Sequence, residues 1–133
     1  MSHLRTCSIK VKNPNSAVLK AAVELVAKDL GTELKTTFTT VTSIRDYYNK
    51  HTKVEAGIKD DVHIPNGYGV QVEGGELKAV GDEFNQRVKL DKFNSMVAQA
   101  YKVIAYSRSL ARQGYHTQVQ RKGTNYVVVG EHS

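Results

Sequence analysis

The sequence has one cysteine, Cys7, two prolines and no tryptophan. A single cysteine cannot form a disulfide within the chain, so the protein is not a small secreted domain held together by cross-links. No apolar run approaches the roughly 20 residues that a membrane-spanning helix needs, and residues 1–5 lack the apolar stretch of a signal peptide. We therefore expect a cytoplasmic protein with no membrane partner. Cys7 alternates with Ile9 and Val11, as a buried strand residue does.

The composition is that of one globular domain. The chain has 133 residues, of which 40% are hydrophobic and 24% are charged, and this balance excludes intrinsic disorder for most of its length. There is no internal repeat, low-complexity tract or long linker at which a second domain could begin. We predict a single α+β domain over residues 1–133.

Apolar residues at helical spacing predict two helices. The first spans residues 16–30, with Ser16 as its N-cap and Gly31 as its stop, and the second spans residues 91–113, with Asp91 as its N-cap. Each helix has one apolar stripe, which must be buried against a sheet. The core positions predicted on these stripes are Leu19, Val23, Val26, Val97, Ala100 and Ile104.

Period-two alternation and turn residues predict the strands. The threonine-rich residues 32–43 favour a strand, residues 44–50 a loop or a short helical turn, and residues 54–59 a weaker strand. Gly74-Gly75 is typical of a two-residue hairpin turn, and residues 122–125 suit the loop of a second hairpin. The predicted fold is α+β, with a single antiparallel-rich sheet, two helices packed on one face, and the order β-α-β-β-β-β-α-β-β.

Positive charge is concentrated in one part of the chain. The formal net charge is +6, and residues 87–122 contain eight lysines and arginines against one acid, Asp91. Such an excess raises the local concentration of an anionic partner, either a nucleic acid or a nucleotide-like phosphate ligand. A solvated helix face without any ligand has the same composition.

Three residues of the second predicted helix, Tyr101, Arg108 and Arg112, lie along one edge at helical spacing. Guanidinium groups one turn apart can bind phosphate, and a tyrosine ring can stack on a planar group. Arg121 and Lys122, near the following hairpin, complete the predicted anion-binding surface.

A structural role for the same residues is the alternative. Tyr101 would then lie at the rim of the core with its hydroxyl reaching solvent. The two arginines would form ion pairs with Asp82 or Glu83, the adjacent carboxylates at the end of a predicted strand.

Nothing in the sequence predicts a metal, a cofactor or a catalytic centre. The glycines lack the spacing and flanking residues of a phosphate-binding or dinucleotide-binding loop. The histidines are scattered without metal-ligand spacing, at His3, His51, His63, His116 and His132. No spacing brings a nucleophile, a base and an orienting group together. We expect no bound metal or cofactor, and an enzyme is the least favoured function class.

Short segments spread along the chain resemble one protein family. They are Met1-Ser2-His3, Gly67-Tyr68-Gly69-Val70, Glu76-Leu77-Lys78-Ala79-Val80-Gly81-Asp82, Gln99-Ala100-Tyr101 and Gly114-Tyr115. In this order they resemble small proteins of unknown function from red-algal plastids, cyanobacteria and some phages. The chain departs from that pattern in its threonine-rich stretch and at Gly81, where a small residue such as alanine is expected.

The resemblance implies a soluble, single-domain α+β fold in a cytoplasm, a plastid stroma or a host cytoplasm. It also nominates Asp82, Gln99 and Tyr101 as pattern residues, without assigning roles to them. No activity is implied, because none is established for the family.

The leading functional interpretation is a non-enzymatic binding module for an anionic partner. The alternative is a protein–protein adaptor or host-interaction protein that forms a homo-oligomer through sheet edges such as residues 126–129. Retention on heparin that falls steeply with salt would favour the first, and a size that depends on concentration would favour the second.

Overall fold

The computed structural model describes residues 4–11, 14–46, 48, 50–82, 88–123 and 125–132, with the backbone alone for residues 4–10 and 132. Its elements are β1 (Leu4–Lys10), α1 (Ser16–Leu34), β2 (Thr40–Arg45), β3 (His51–Ile58), β4 (Tyr68–Glu73), β5 (Glu76–Asp82), α2 (Leu90–Arg112), β6 (Tyr115–Lys122) and β7 (Asn125–His132). The predicted α+β class and the predicted order of elements are confirmed. Within the described residues, no helix is long and apolar enough to span a membrane.

Five strands form one antiparallel sheet in the order β1-β5-β4-β3-β2. β1 lies along β5, with Leu4 opposite Asp82 and Cys7 opposite Ala79. The Cys7 side chain, for which burial was predicted, lies outside the described residues. The prediction of a single sheet is wrong, because β6 and β7 form a separate two-stranded sheet. They follow α2 directly and pack against it, so they extend neither edge of the larger sheet.

The N-cap of α1 is displaced by one residue from the predicted Ser16. Asn15 is the N-cap, because its side-chain oxygen accepts the backbone N–H of Val18. The Ser16 hydroxyl donates instead to the carboxylate of Glu55 in β3. A side chain caps a helix only where the preceding backbone turns it toward the free N–H groups, and here that residue is Asn15.

Gly31 does not end α1, contrary to the prediction. The helix continues to Leu34, and Lys35 then turns the chain with a left-handed φ of 56°. A Cβ on Gly31 would lie 2.7 Å from the carbonyl oxygen of Thr36, so the glycine accommodates the chain that folds back over it. The longer helix also takes residues 32–34 from the predicted strand 32–43, and β2 begins only at Thr40.

α2 begins at Leu90, and its N-cap Lys89 makes no side-chain capping bond. Asp91 therefore does not cap the helix as predicted. It lies in the first turn, where a negative charge interacts favourably with the helix dipole. The helix ends at Arg112, and Gly114 follows with a φ of 92°, as expected for a residue just beyond a helix end.

The remaining strands lie close to their predicted positions. β3 begins at His51, three residues before the predicted strand, and β2 takes Ile44 and Arg45 from the predicted loop. Gly74 and Gly75 have φ of 57° and 79° in the turn between β4 and β5, which confirms the predicted hairpin.

Both helices pack on one face of the five-stranded sheet. The predicted core residues Leu19, Val23, Val26, Val97 and Ala100 are buried. The sixth, Ile104, is only partly buried, because it lies in the part of α2 where no side chain is fully covered.

Tyr68 lies at the centre of this core. Its ring centroid is 5.4 Å from that of Phe93, and its hydroxyl donates to the carbonyl of Val88 at 2.6 Å. Gly81 lies opposite Tyr68 on β5, and a Cβ there would be 2.1 Å from the ring. Even alanine would overlap the tyrosine, so the ring accounts for the glycine at this position.

Candidate anion-binding site

Two contacts show how α1 and α2 run relative to each other. Lys92 at the start of α2 contacts Glu33 at the end of α1, whereas Tyr101 in the middle of α2 contacts Asn15 at the start of α1. The helices are therefore antiparallel, and residues 102–112 continue past the start of α1. We call residues 102–112 the helix arm, which at about 1.5 Å per residue extends for roughly 16 Å.

The helix arm is covered on one side by the β6–β7 hairpin. Ser107 in the arm donates to Thr117 of β6 through their hydroxyls at 2.7 Å, and Leu110 lies beside Gly130 of β7. No side chain of the arm is fully buried. Val103, Ile104 and Ala105 pack partly against the core, and the exposed side chains of the arm face solvent.

Arg108 and Arg112 lie on the open side of the arm. Both are exposed, and they are one turn apart as predicted. The ion pairs formed between described residues involve other cations. Asp82, one predicted alternative partner, is buried in β5, and the other, Glu83, lies outside the described residues. Both guanidinium groups are therefore available to a ligand.

Tyr101 belongs to the core and not to this surface. It is 5% exposed, and its hydroxyl accepts the backbone N–H of Asn15 at 2.9 Å. A covered ring offers no face to a planar ligand, so the stacking role predicted for Tyr101 does not fit its position. The helical edge is as predicted, but Tyr101 on this edge faces α1, whereas Arg108 lies beyond the first residue of α1.

Tyr106 is the exposed aromatic residue of the arm. It is 60% exposed and lies one turn after the exposed Lys102. The sequence reasoning missed Tyr106 because it followed only the edge through Tyr101. A tyrosine that lies off the apolar stripe of a basic helix is the signal that could have found it.

Arg121 and Lys122 lie at the far end of β6 from the arm. β6 runs from Tyr115 to Lys122, and at about 3.3 Å per residue its ends are roughly 23 Å apart. The structure therefore brings Arg108 and Arg112 together but separates them from Arg121 and Lys122. Lys122 is exposed, whereas Arg121 is partly buried at the hairpin tip.

Glu33 forms ion pairs with two cations at the hairpin tip, Lys92 and Arg121. Lys92 donates to its carboxylate at 2.6 Å, and the Arg121 guanidinium lies 3.6 Å from its other oxygen. The hydrogen bond from Lys92, aided by both positive charges, lowers the pKa of Glu33. Because one carboxylate already serves both cations, Arg121 is not open to an external anion as Arg108 is.

Tyr126 joins the same end of the hairpin to α1. Its side chain is buried, and burial followed by the neighbouring Asp29 carboxylate raises the pKa of the phenol well above its usual range. Among the described residues, no hydrogen-bond partner reaches Oδ2 of Asp29, Nε of Arg121 or the hydroxyl of Tyr126. These groups tie the hairpin tip to the helices mainly by packing and charge.

A cleft of about 770 Å³ opens beside the hairpin tip. Its lining residues are Asp29, Thr32, Glu33, Lys92, Ser95, Met96, Gln99, Arg121 and Gly123. The two carboxylates of this lining balance its two cations. The helix arm, with three cations and no acid in residues 102–112, differs from this cleft in that its positive charge is not compensated.

No protein-family model matches the sequence, and neither a curated protein nor a solved structure is significantly similar to it. The resemblance to the plastid, cyanobacterial and phage proteins stays a prediction. In the part of the chain that the structure describes, no three histidine, cysteine, aspartate or glutamate residues group together as metal ligands would.

Proposed function

We propose that this chain is a non-enzymatic binding module for nucleic acid, and that the helix arm is its contact surface. The observation that carries the proposal is the exposure of Lys102, Tyr106, Arg108 and Arg112 on one projecting helix end, with no acid in residues 92–112. A cytoplasm-like compartment, where nucleic acid is accessible, accords with this function.

The charge of the arm suits a polymer better than a small phosphate ligand. Arg108 and Arg112 lie on an open, projecting surface, so a ligand there is contacted from one side only. Small ligands are normally enclosed by a pocket, whereas a phosphate backbone releases condensed counterions into solution wherever a protein cation contacts it. Several weak contacts spread over the roughly 16 Å of the arm favour an extended polyanion.

Tyr106 favours single-stranded nucleic acid over a duplex. Bases of a single strand can stack on an exposed aromatic ring, and each such contact contributes about 1–3 kcal/mol. Lys102 lies one turn before Tyr106, so a cation for the backbone and a ring for a base lie side by side. A duplex keeps its bases stacked on each other and leaves Tyr106 without that partner.

The test is fluorescence anisotropy of a labelled single-stranded oligonucleotide over a range of salt concentrations. For wild-type protein we expect log K to fall linearly with log salt. Replacing Arg108 and Arg112 by glutamine should reduce that slope by roughly 1.4, or about 0.7 for each lost contact to a single strand. The matched control is the double change Lys20→Gln and Lys28→Gln, which removes equal charge from exposed positions of α1. An equal reduction of the salt slope in both double variants, or binding without salt dependence, would contradict the proposal.

Tyr106→Ala separates stacking from charge. It should weaken binding by roughly five- to 150-fold while leaving the salt slope unchanged. A loss of the same size on a duplex probe would argue against the single-strand preference.

A protein–protein adaptor is the second candidate function, and one observation favours it. The β6–β7 sheet has only two strands, so no described strand pairs with the outer edge of either. Free edges of this kind can accept a further strand.

A further inference from the structure

The outer edge of β7 is unprotected. β7 runs over eight residues, Asn125–His132, and its outer edge is not paired with any described strand. Alternate residues of such a strand direct their N–H and C=O groups outward. Natural proteins protect exposed edges with lysine, proline, bulges or very short strands.

None of those devices is present in the middle of β7. Residues 126–130, Tyr-Val-Val-Val-Gly, contain no charge and no proline. Their register with β6 runs without interruption, so no bulge distorts the edge. β6 differs, because it carries Arg121 and Lys122 and alternates with glutamines. An uncharged, β-branched edge of this length is typical of a strand that has a partner.

The geometry points to pairing of β7 with β7 of a second copy of this chain, antiparallel and centred on Val128. The product is one four-stranded sheet, β6-β7-β7-β6, built around a twofold axis. An antiparallel pair of identical strands satisfies such an axis by its own symmetry, whereas a parallel pair does not. This inference stands on β7 alone and does not depend on nucleic-acid binding.

The register centred on Val128 is self-complementary. It places Val127 opposite Val129 of the second copy, on the outer face of the sheet, and this occurs twice. Val129 is 44% exposed in the single chain, so the pairing covers an apolar side chain that is otherwise in water. Tyr126 falls opposite Gly130, where the absence of a side chain leaves room for the ring. Each apolar cross-strand pair contributes roughly 0.2–1 kcal/mol.

Neighbouring registers are poorer. A shift by two residues in one direction sets Asn125 opposite Val129, and a shift in the other sets Glu131 opposite Val127. Both shifts bring a polar or charged group against a valine, and the first also shortens the paired segment of β7. The central register instead pairs Asn125 with Glu131 and opposes no like charges.

The pairing would also place the two helix arms on the same side of one sheet. In a continuous antiparallel sheet the twofold axis is perpendicular to the sheet, so equivalent faces point the same way. Each hairpin packs against its own α2, and the two basic arms then lie on a shared surface. An interface made mainly of one strand pair is small, so we expect association in the roughly micromolar to millimolar range.

Sedimentation velocity over a wide concentration range tests the dimer. Wild-type protein should shift from the 14.8 kDa chain mass toward twice that mass as concentration rises. Val129→Lys should stay monomeric at every concentration, because it adds a charge to the free edge. Gln118→Lys is the matched control, since Gln118 lies opposite Val129 on β6, on the same face but away from that edge. A wild-type chain that stays monomeric throughout, or equal loss of the dimer in both variants, overturns the proposal.

A cross-linking experiment tests the register even if Val129→Lys disturbs the hairpin. In chains that carry Cys7→Ser, Val127→Cys and Val129→Cys are introduced separately and then mixed under oxidising conditions. Directly opposed residues lie within the Cα separation that a disulfide requires. We expect a covalent dimer in the mixture and little in either variant alone. Equal cross-linking in the separate variants overturns the register.

Discussion

The two halves of α2 lie in different surroundings. From Leu90 to Tyr101 the helix is packed against α1, β1 and β5, and six of its side chains are buried. From Lys102 to Arg112 it has the hairpin on one side and water on the other, and none of its side chains is fully buried. The same helical periodicity runs through both halves, so the difference comes from what surrounds the helix.

Because of this difference, the first half of α2 contributes mainly to stability and the helix arm mainly to the chemistry of the surface. Fully buried apolar side chains supply most of the hydrophobic free energy of folding, and in α2 they all precede Lys102. The helix arm contributes less to that free energy, which leaves its charged and aromatic residues free to vary or to bind. We call the buried residues of the two helices and of the five-stranded sheet the body. Changes in the body should therefore alter the free energy of unfolding, whereas changes in the helix arm should alter binding.

The largest expected effect is at a glycine of the body. Gly81→Ala puts a Cβ 2.1 Å from the Tyr68 ring, which cannot move without displacing Phe93. We expect a loss of about 3 kcal/mol in the free energy of unfolding. Gly130→Ala is the control in the hairpin, where the nearest atom to the new Cβ is 3.7 Å away. It should change stability by less than about 0.5 kcal/mol. Urea denaturation measures the free energy of unfolding of both variants. Similar losses in the two would contradict the conclusion that stability comes mainly from the body.

Two valines of α2 compare the halves directly. Val97→Ala removes a fully buried side chain and should destabilise the protein by about 2–3 kcal/mol, whereas Val103→Ala in the arm removes a half-buried one and should cost about 1 kcal/mol or less. The measurement is the midpoint of urea unfolding at constant slope. A larger loss at Val103 would place the stabilising core in the arm.

Asn15 lies at the boundary between the two halves, where Tyr101 accepts its backbone N–H. Asn15→Ala removes the side chain that caps α1 and should lower the free energy of unfolding by about 1 kcal/mol. Ser16→Ala removes only an exposed hydrogen bond to Glu55 and should have a smaller effect. If Ser16→Ala has the larger effect in thermal unfolding, the N-cap has been assigned to the wrong residue.

The smallest effect concerns the hairpin tip and pH. The pKa of Glu33 is lowered in the folded state, so its ion pairs add stability above the ordinary value of 4.5, and this stability is lost as pH falls through the folded pKa. Because Glu33 and Lys92 are both partly exposed, we expect Glu33→Gln to cost only about 0.2–1 kcal/mol at neutral pH. The difference from wild type should vanish in acid. Glu24→Gln removes the same charge from an exposed position on the same helix and is the matched control in thermal unfolding.

The sequence predicts the types of element well because local patterns determine them. Alternation in residues 68–73, the Gly74-Gly75 turn and two apolar stripes each report on a few neighbouring residues. Helix ends were less accurate, because capping depends on the backbone angles at one position. Ser16 and Asn15 are both good N-caps in principle, and only the path of the chain selects Asn15.

The arrangement of the elements and of the site depends on contacts distant in sequence. No local pattern shows that β6 and β7 pack on α2 and stay apart from the larger sheet. A helical projection places Tyr101, Arg108 and Arg112 on one edge, but it does not show that α1 covers Tyr101 and begins before it can reach Arg108. The predicted pair Arg108 and Arg112 is exposed, whereas Tyr101 is covered and Arg121 is engaged by Glu33.

The position of β1 in the sheet has a consequence for how the chain is made. β1 is synthesised before the other described strands, yet its partner is β5, and Ile9 pairs with Leu77, which is 68 residues later in the chain. At synthesis rates of roughly 5–20 residues per second, β1 waits about 3–14 s before its partner strand exists. By contrast, β2, β3 and β4 each pair with the next strand in the chain. The nascent chain can therefore assemble the four-stranded meander β2 to β5 first and add β1 to its edge afterwards.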